Sequence, residues 1–243
     1  MSMAYIFTSP EWFFAYDVAL ELAFAVITLL VCFYAWKIYK VTGERNIRLF
    51  SLAFLFISLS YIIQTILNFI IMEQLDEGIT EFINLNSVYL LNLFGTYIHS
   101  ILFLVGILLL VYIALKIYSL RTFILLSILV FTTLYFSLYK TFMLYLLSTV
   151  LLGFIVLYYL TNYWNNKKTT TFLVAIAMML LFIAYLFFIF GINSTTYYVL
   201  GHILELSAYV LVLTNLLIIL RKGKERNKTG KIIDTLVKRK AAK

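Results

Sequence analysis

The chain has one proline, one cysteine and two histidines in 243 residues, and charged side chains make up only 12% of it. Each shortage excludes something. With proline confined to Pro10, the broken helices typical of many transporters have no sequence cause further along. The lone Cys32 cannot form an internal disulfide. His99 and His202 are the only histidines, so any site built from three is ruled out. The chain also holds no HExxH pair and no two histidines one helical turn apart. So little charge is far from the composition of a soluble globular domain.

What is present instead is apolar: 64% hydrophobic residues, among them 22 Phe and 19 Tyr. Runs of roughly 18 residues or more recur along the sequence, each long enough to cross a hydrocarbon core about 30 Å thick. The opening stretch MSMAYIFTSPE carries no Lys or Arg, and the run after it lacks a small-residue cleavage site, so the first helix is expected to be retained. Hydropathy and the polar breaks predict an all-α, polytopic integral membrane protein with seven transmembrane helices: 12–38, 48–72, 88–116, 121–139, 141–164, 170–191 and 196–220. The break between the fourth and fifth rests on Tyr139-Lys140-Thr141 alone. Residues 1–220 are read as the transmembrane domain and residues 221–243 as a basic tail.

Basic residues set the direction. Lys37, Lys40, Arg45 and Arg48 flank the first loop, Lys116 and Arg121 the third, and Lys167 and Lys168 the fifth; ten more follow the last span. The opposite side has Glu11, Glu73, Asp76, Glu77 and Glu81, with Lys140 its one basic residue. The expected orientation is amino terminus outside and carboxyl terminus in the cytoplasm, in a multi-pass protein of the cell membrane. Trp12, Trp36 and Trp164 each fall near a boundary, as interfacial anchors do. In the tail from Arg221 to Lys243, Ile232, Ile233, Leu236 and Val237 share a helical stripe. That pattern predicts a short amphipathic helix on anionic inner-leaflet lipids. No aromatic residue is interleaved with the charge, and no nucleic-acid partner is expected. Asn193-Ser-Thr forms a glycosylation sequon in a loop too short to favour its use.

Ala53 and Tyr61 of the second span pair with Ala177 and Tyr185 of the sixth, and each of these spans precedes one that holds a histidine, His99 or His202. Parallel repeats of three helices around a linking fourth, a 3+1+3 arrangement, fit this spacing.

Polar side chains cluster by depth. At about 1.5 Å per residue from the outer end, Asp17, Asn68, Asn92 and His202 lie roughly 6 to 9 Å down; Glu21, Gln64 and Glu205 roughly 12 to 14 Å, and His99 roughly 18 Å. Within each helix they share a face: Asp17 with Glu21, Gln64 with Asn68 above Tyr61, Asn92 with Thr96 and His99, and His202 with Glu205 and Tyr209. A charge at mid-bilayer costs about 2.5 to 3.5 kcal/mol on insertion scales, so these stripes are expected to converge inside a ring of seven helices. The result is an outward-opening polar pocket on spans one, two, three and seven, with Glu21, Gln64, Asn68, Asn92, His99, His202, Glu205 and Tyr209 as ligand-binding candidates. Interhelical hydrogen bonding alone is the competing account of every one of these residues, and the preferred one for Gln64, Asn68 and Asn92.

Five chemistries come into question for such a pocket. His99, His202 and Glu205 are the metal-ligand candidates of a metal-dependent enzyme, although the seven-helix membrane hydrolases of the ceramidase and adiponectin-receptor type use three histidines. Haem between His99 and His202 suits membrane cytochromes, but the two depths differ by about 9 Å. Retinal has no lysine before Arg221 in the last span to form a Schiff base. A relay for protons or ions halts halfway, because the inner halves of the spans hold almost no ionisable group. Binding or sensing of a small polar ligand or cation remains the leading expectation. The stretches RNIRLFSLAF at Arg45 and GHILEL at Gly201, with the basic stop at Arg221, resemble the seven-helix membrane sensor-input modules of archaeal and bacterial signalling proteins. That resemblance implies a receptor-like role. Those modules precede an output domain, and 23 residues follow the last span here, so a sensor of this kind is expected to signal through a separate partner.

Overall fold

A computed structural model describes residues 13–76, 82–116, 119–192 and 194–241; the side chains of residues 14, 71–89, 91–92 and 224–241 lie outside the described set. Glu11, Trp12, Glu77, Glu81 and Asn193 therefore fall outside it, as do the side chains of Asn92 and of the tail stripe at Ile232, Ile233, Leu236 and Val237.

The described residues form seven helices: α1 (Phe14–Thr42), α2 (Arg45–Asp76), α3 (Phe82–Ala114), α4 (Leu120–Phe136), α5 (Lys140–Asn166), α6 (Thr169–Gly191) and α7 (Thr195–Ala241). Among the described residues there is no strand. Among the described residues six helices are long and apolar enough to cross a membrane; the exception, α4, has 17 residues. Helix is the only open-ended element that satisfies its own backbone polar groups in hydrocarbon, so long apolar runs free of proline fold this way.

The breaks have local causes. Gly43 ends α1 in the left-handed conformation at φ 69°, where glycine is unstrained, and its N–H donates to Tyr39 O at 2.8 Å. Lys167 ends α5 with the same turn at φ 45°, its N–H donating to Tyr163 O at 2.7 Å. The expected break at Lys140 is present. Backbone at Ser137 is extended, and the Lys140 ammonium donates back to Leu134 O at 3.2 Å and Tyr135 O at 2.5 Å, satisfying carbonyls at the α4 terminus. At its other end the fold departs from expectation, because α7 runs without interruption through Arg221 to Ala241. No turn separates the apolar part from the basic tail.

Helix α1 packs on α2 and α7, α2 on α3, α3 on α5, α5 on α6 and α6 on α7. These contacts close a ring of six rather than the expected seven. Helix α4 stands outside, touching α3 and α5. Its side chains explain this position, since only Val130 and Leu134 are buried. Inside the ring, Phe24, Phe54, Phe103, Leu104, Leu152 and Met178 are fully buried. The outer faces stay apolar, with Leu125, Leu129 and Phe136 of α4 and Phe33 of α1 exposed, as a lipid-facing surface requires. Helices α2 and α3 approach closely at Gly106, where a Cβ would stand 2.8 Å from Ala53 O.

Candidate functional site

Three of the predicted polar stripes meet where α1, α2 and α7 adjoin. Asp17 and Glu21, one turn apart on α1, both face inward, at 4% and 8% exposure. His202 and Glu205, three apart on α7, are buried beside them at 7% and 2%. His202 Nε2 lies 3.1 Å from Asp17 Oδ1, and its Nδ1 lies 3.8 Å from Glu205 Oε2. The imidazole thus stands between two carboxylates from different helices. Tyr198, one turn before His202 on α7, donates to Asp17 Oδ2 at 2.7 Å.

Glu205 is the hub of the inner part. Its Oε1 accepts from the Tyr61 hydroxyl of α2 in a short hydrogen bond, and from Tyr185 of α6 and Tyr209 of α7 at 3.3 Å each. The Tyr61 and Tyr209 hydroxyls are themselves 3.1 Å apart. A second group lies alongside: Asn68 Nδ2 donates to both oxygens of Glu21 at 3.0 and 2.8 Å, and Gln64 Nε2 donates to Asn68 Oδ1 at 3.3 Å. Buried carboxylates with several donors each are what low-dielectric burial demands.

Aromatic rings close over the imidazole. Phe24 stacks on His202 at 5.9 Å and 14°, while Phe188 and Tyr198 meet it edge-on at 4.8 and 4.7 Å. Gly201 allows the Phe188 contact: a Cβ there would fall 2.5 Å from Phe188 Cε1.

His99 lies apart from this cluster. Its Nδ1 is 3.2 Å from Ser60 O, so that nitrogen carries the proton and Nε2 is left as the acceptor. The ring stacks on Phe103 and touches Tyr61 at 5.6 Å, which separates it from Glu205. Among the described residues no three His, Cys, Asp or Glu form a group able to hold a metal ion. The site thus unites Asp17, Glu21, Gln64, Asn68, His202, Glu205 and Tyr209, keeps His99 one tyrosine away, and leaves the side chain of Asn92 outside the description. Tyr185 and Tyr198 were not singled out as site residues by sequence. The signal for Tyr185 was its register with Tyr61; for Tyr198 it was the one-turn spacing from His202.

Comparison with protein-family models, curated proteins and solved structures finds no match.

Proposed function

We propose that this is a multi-pass membrane protein of receptor-like type that binds a small polar ligand or cation at the Asp17–His202–Glu205 cluster. The observation that carries the reading is the excess of acid over base. Asp17, Glu21 and Glu205 are buried together with one imidazole. Among the described residues His202 is the one basic side chain beside Glu21 and Glu205, and a buried carboxylate without a countercharge is far costlier than an interhelical hydrogen bond can offset. A cationic group entering among these side chains supplies the missing charge. The outer-half position predicted for these residues favours access from the amino-terminal side, through the rings of Phe24, Phe188 and Tyr198.

Thermal unfolding of the purified protein, titrated with a panel of organic amines and monovalent cations, tests this reading. One or more of them should raise the midpoint in the wild type and fail to do so in Glu205→Gln and Asp17→Asn. A panel without effect on the wild type overturns it.

The outside-to-inside orientation rests on the Lys and Arg asymmetry. Membrane-impermeant labelling of single cysteines at positions 78 and 119 tests it: only position 78 should react from outside. Two parallel repeats, α1–α3 and α5–α7 around α4, are supported by a constant register of α1 and α2 against α5 and α6. Tyr39 and Tyr163 accept from the left-handed caps at Gly43 and Lys167, Ala53 matches Ala177, and Tyr61 matches Tyr185. Ser51, Phe54, Ile57 and Ser60 are buried, as are Ala175, Met178, Leu181 and Ala184. The contacts of the ring also keep their order when the two sets exchange places. The basic end of α7 lies against anionic inner-leaflet lipid in this reading, and a separate signalling partner receives the output.

A further inference from the structure

Because α4 stands outside the ring, it leaves a groove against α3 with a volume of about 430 Å³. That is within the range of small-ligand sites, about 300 to 1,000 Å³. Tyr97 and Ile101 of α3 form one wall, and Phe131, Leu134, Tyr135 and Phe136 of α4 the other. The walls are almost wholly apolar, so water finds few partners there. Ile101, Tyr135 and Phe136 are exposed, which opens the groove sideways on the same surface as the lipid-facing Leu125 and Leu129.

One cation stands at its end. Lys140 Nζ lies 5.1 Å from the Tyr97 ring centroid and 5.9 Å from that of Tyr135, both of them groove residues. Two of its three N–H bonds go to Leu134 O and Tyr135 O, and among the described residues the third has no acceptor. Capping those carbonyls accounts for two hydrogen bonds but leaves the charge without a counterpart among the described residues. Helices α3, α4 and α5 contain no Asp or Glu at all. The balancing anion has to come from outside these three helices.

We propose that the α3–α4 groove holds an acyl chain of an anionic membrane phospholipid, whose headgroup phosphate accepts the free Lys140 N–H. The apolar slot takes the chain, the ammonium takes the phosphate, and the two lie side by side as they do in a lipid. This site is separate from the carboxylate cluster and does not depend on it.

The test is native mass spectrometry of the full chain released from nanodiscs with equal parts phosphatidylglycerol and phosphatidylcholine of identical acyl chains. The wild type should retain phosphatidylglycerol about fivefold over phosphatidylcholine, the ratio that one lysine near the membrane surface confers. Lys140→Gln should bring the ratio to parity, Lys140→Arg should preserve it, and Ile101→Trp, which fills the groove, should abolish retention of both lipids. Parity in the wild type, an unchanged ratio in Lys140→Gln, or full retention in Ile101→Trp overturns the proposal. So does a wild-type dimer that Ile101→Trp dissociates, because a second copy of the chain then covers the groove.

Discussion

His202 Nε2 lies 3.1 Å from Asp17 Oδ1, and this contact joins the last helix to the first where the ring of six closes. Both side chains are buried, so neither has water to fall back on. Tyr198 braces the same carboxylate from one turn earlier on α7. One carboxylate of α1 thereby meets two side chains of α7.

Asp17→Ala should accordingly cost about 1 to 3 kcal/mol, the penalty for leaving buried polar groups without their partner. Asp17→Asn keeps an acceptor for Tyr198 and should cost less. Tyr198→Phe should cost about 0.6 kcal/mol, the average for a hydrogen bond between membrane helices. Reversible unfolding in mixed micelles measures all three, and the Asp17–Tyr198 double-mutant cycle should show coupling. Additive losses would mean that α1 and α7 are held together elsewhere.

Around Glu205 the prediction concerns non-additivity. Tyr61, Tyr185 and Tyr209 all donate to one oxygen, so each single Tyr→Phe change leaves two donors in place. Each should cost about 0.6 kcal/mol and at most about 2 kcal/mol. The triple variant leaves that oxygen buried without a donor from this set and should lose clearly more than the sum of the singles. Unfolding of the three singles and the triple decides between a shared network and three independent contacts.

Glycine substitutions separate tight helix contacts from loose ones. At Gly106 a side chain would meet Ile57 at 2.5 Å and the backbone of Ala53 at 2.8 Å, so Gly106→Leu should destabilise by about 1 to 3 kcal/mol through overpacking. At Gly153 the nearest neighbour is Phe182 at 3.5 Å, an ordinary contact. Gly153→Ala should be neutral or stabilising by up to about 1 kcal/mol from helix propensity. Thermal unfolding of the two variants side by side is sufficient.

Much of this was legible in the sequence, for one physical reason: spacing along a helix fixes which residues share a face. Asp17 with Glu21, Gln64 with Asn68, and His202 with Glu205 and Tyr209 were grouped that way, and their helices bring them into contact. Spacing says nothing about how a helix is rotated or which others it touches. Hence α4, as apolar as its neighbours, gave no sign of lying outside the ring. His99 sat on a polar stripe like the others, yet its ring turns to Ser60 and Phe103. Tyr185 and Tyr198 were two among nineteen tyrosines, and only a folded carboxylate beside each hydroxyl marks them out.

The last prediction links packing to the binding role. Gly201 sits one residue before His202, and its missing side chain is what lets Phe188 approach: an added Cβ would fall 2.5 Å from that ring, itself 4.8 Å from the imidazole. Gly201→Ala should therefore force Phe188 out of its place against His202 without touching any hydrogen-bonding group of the cluster. The expected result is a weakened stabilisation by whichever cation protects the wild type, with a smaller effect on unliganded stability. Phe188→Leu in the same chain shortens the obstructing ring and should restore the response in Gly201→Ala. A double variant no better than Gly201→Ala would mean that Phe188 does not govern access to the imidazole, and that the route to the cluster runs past other side chains.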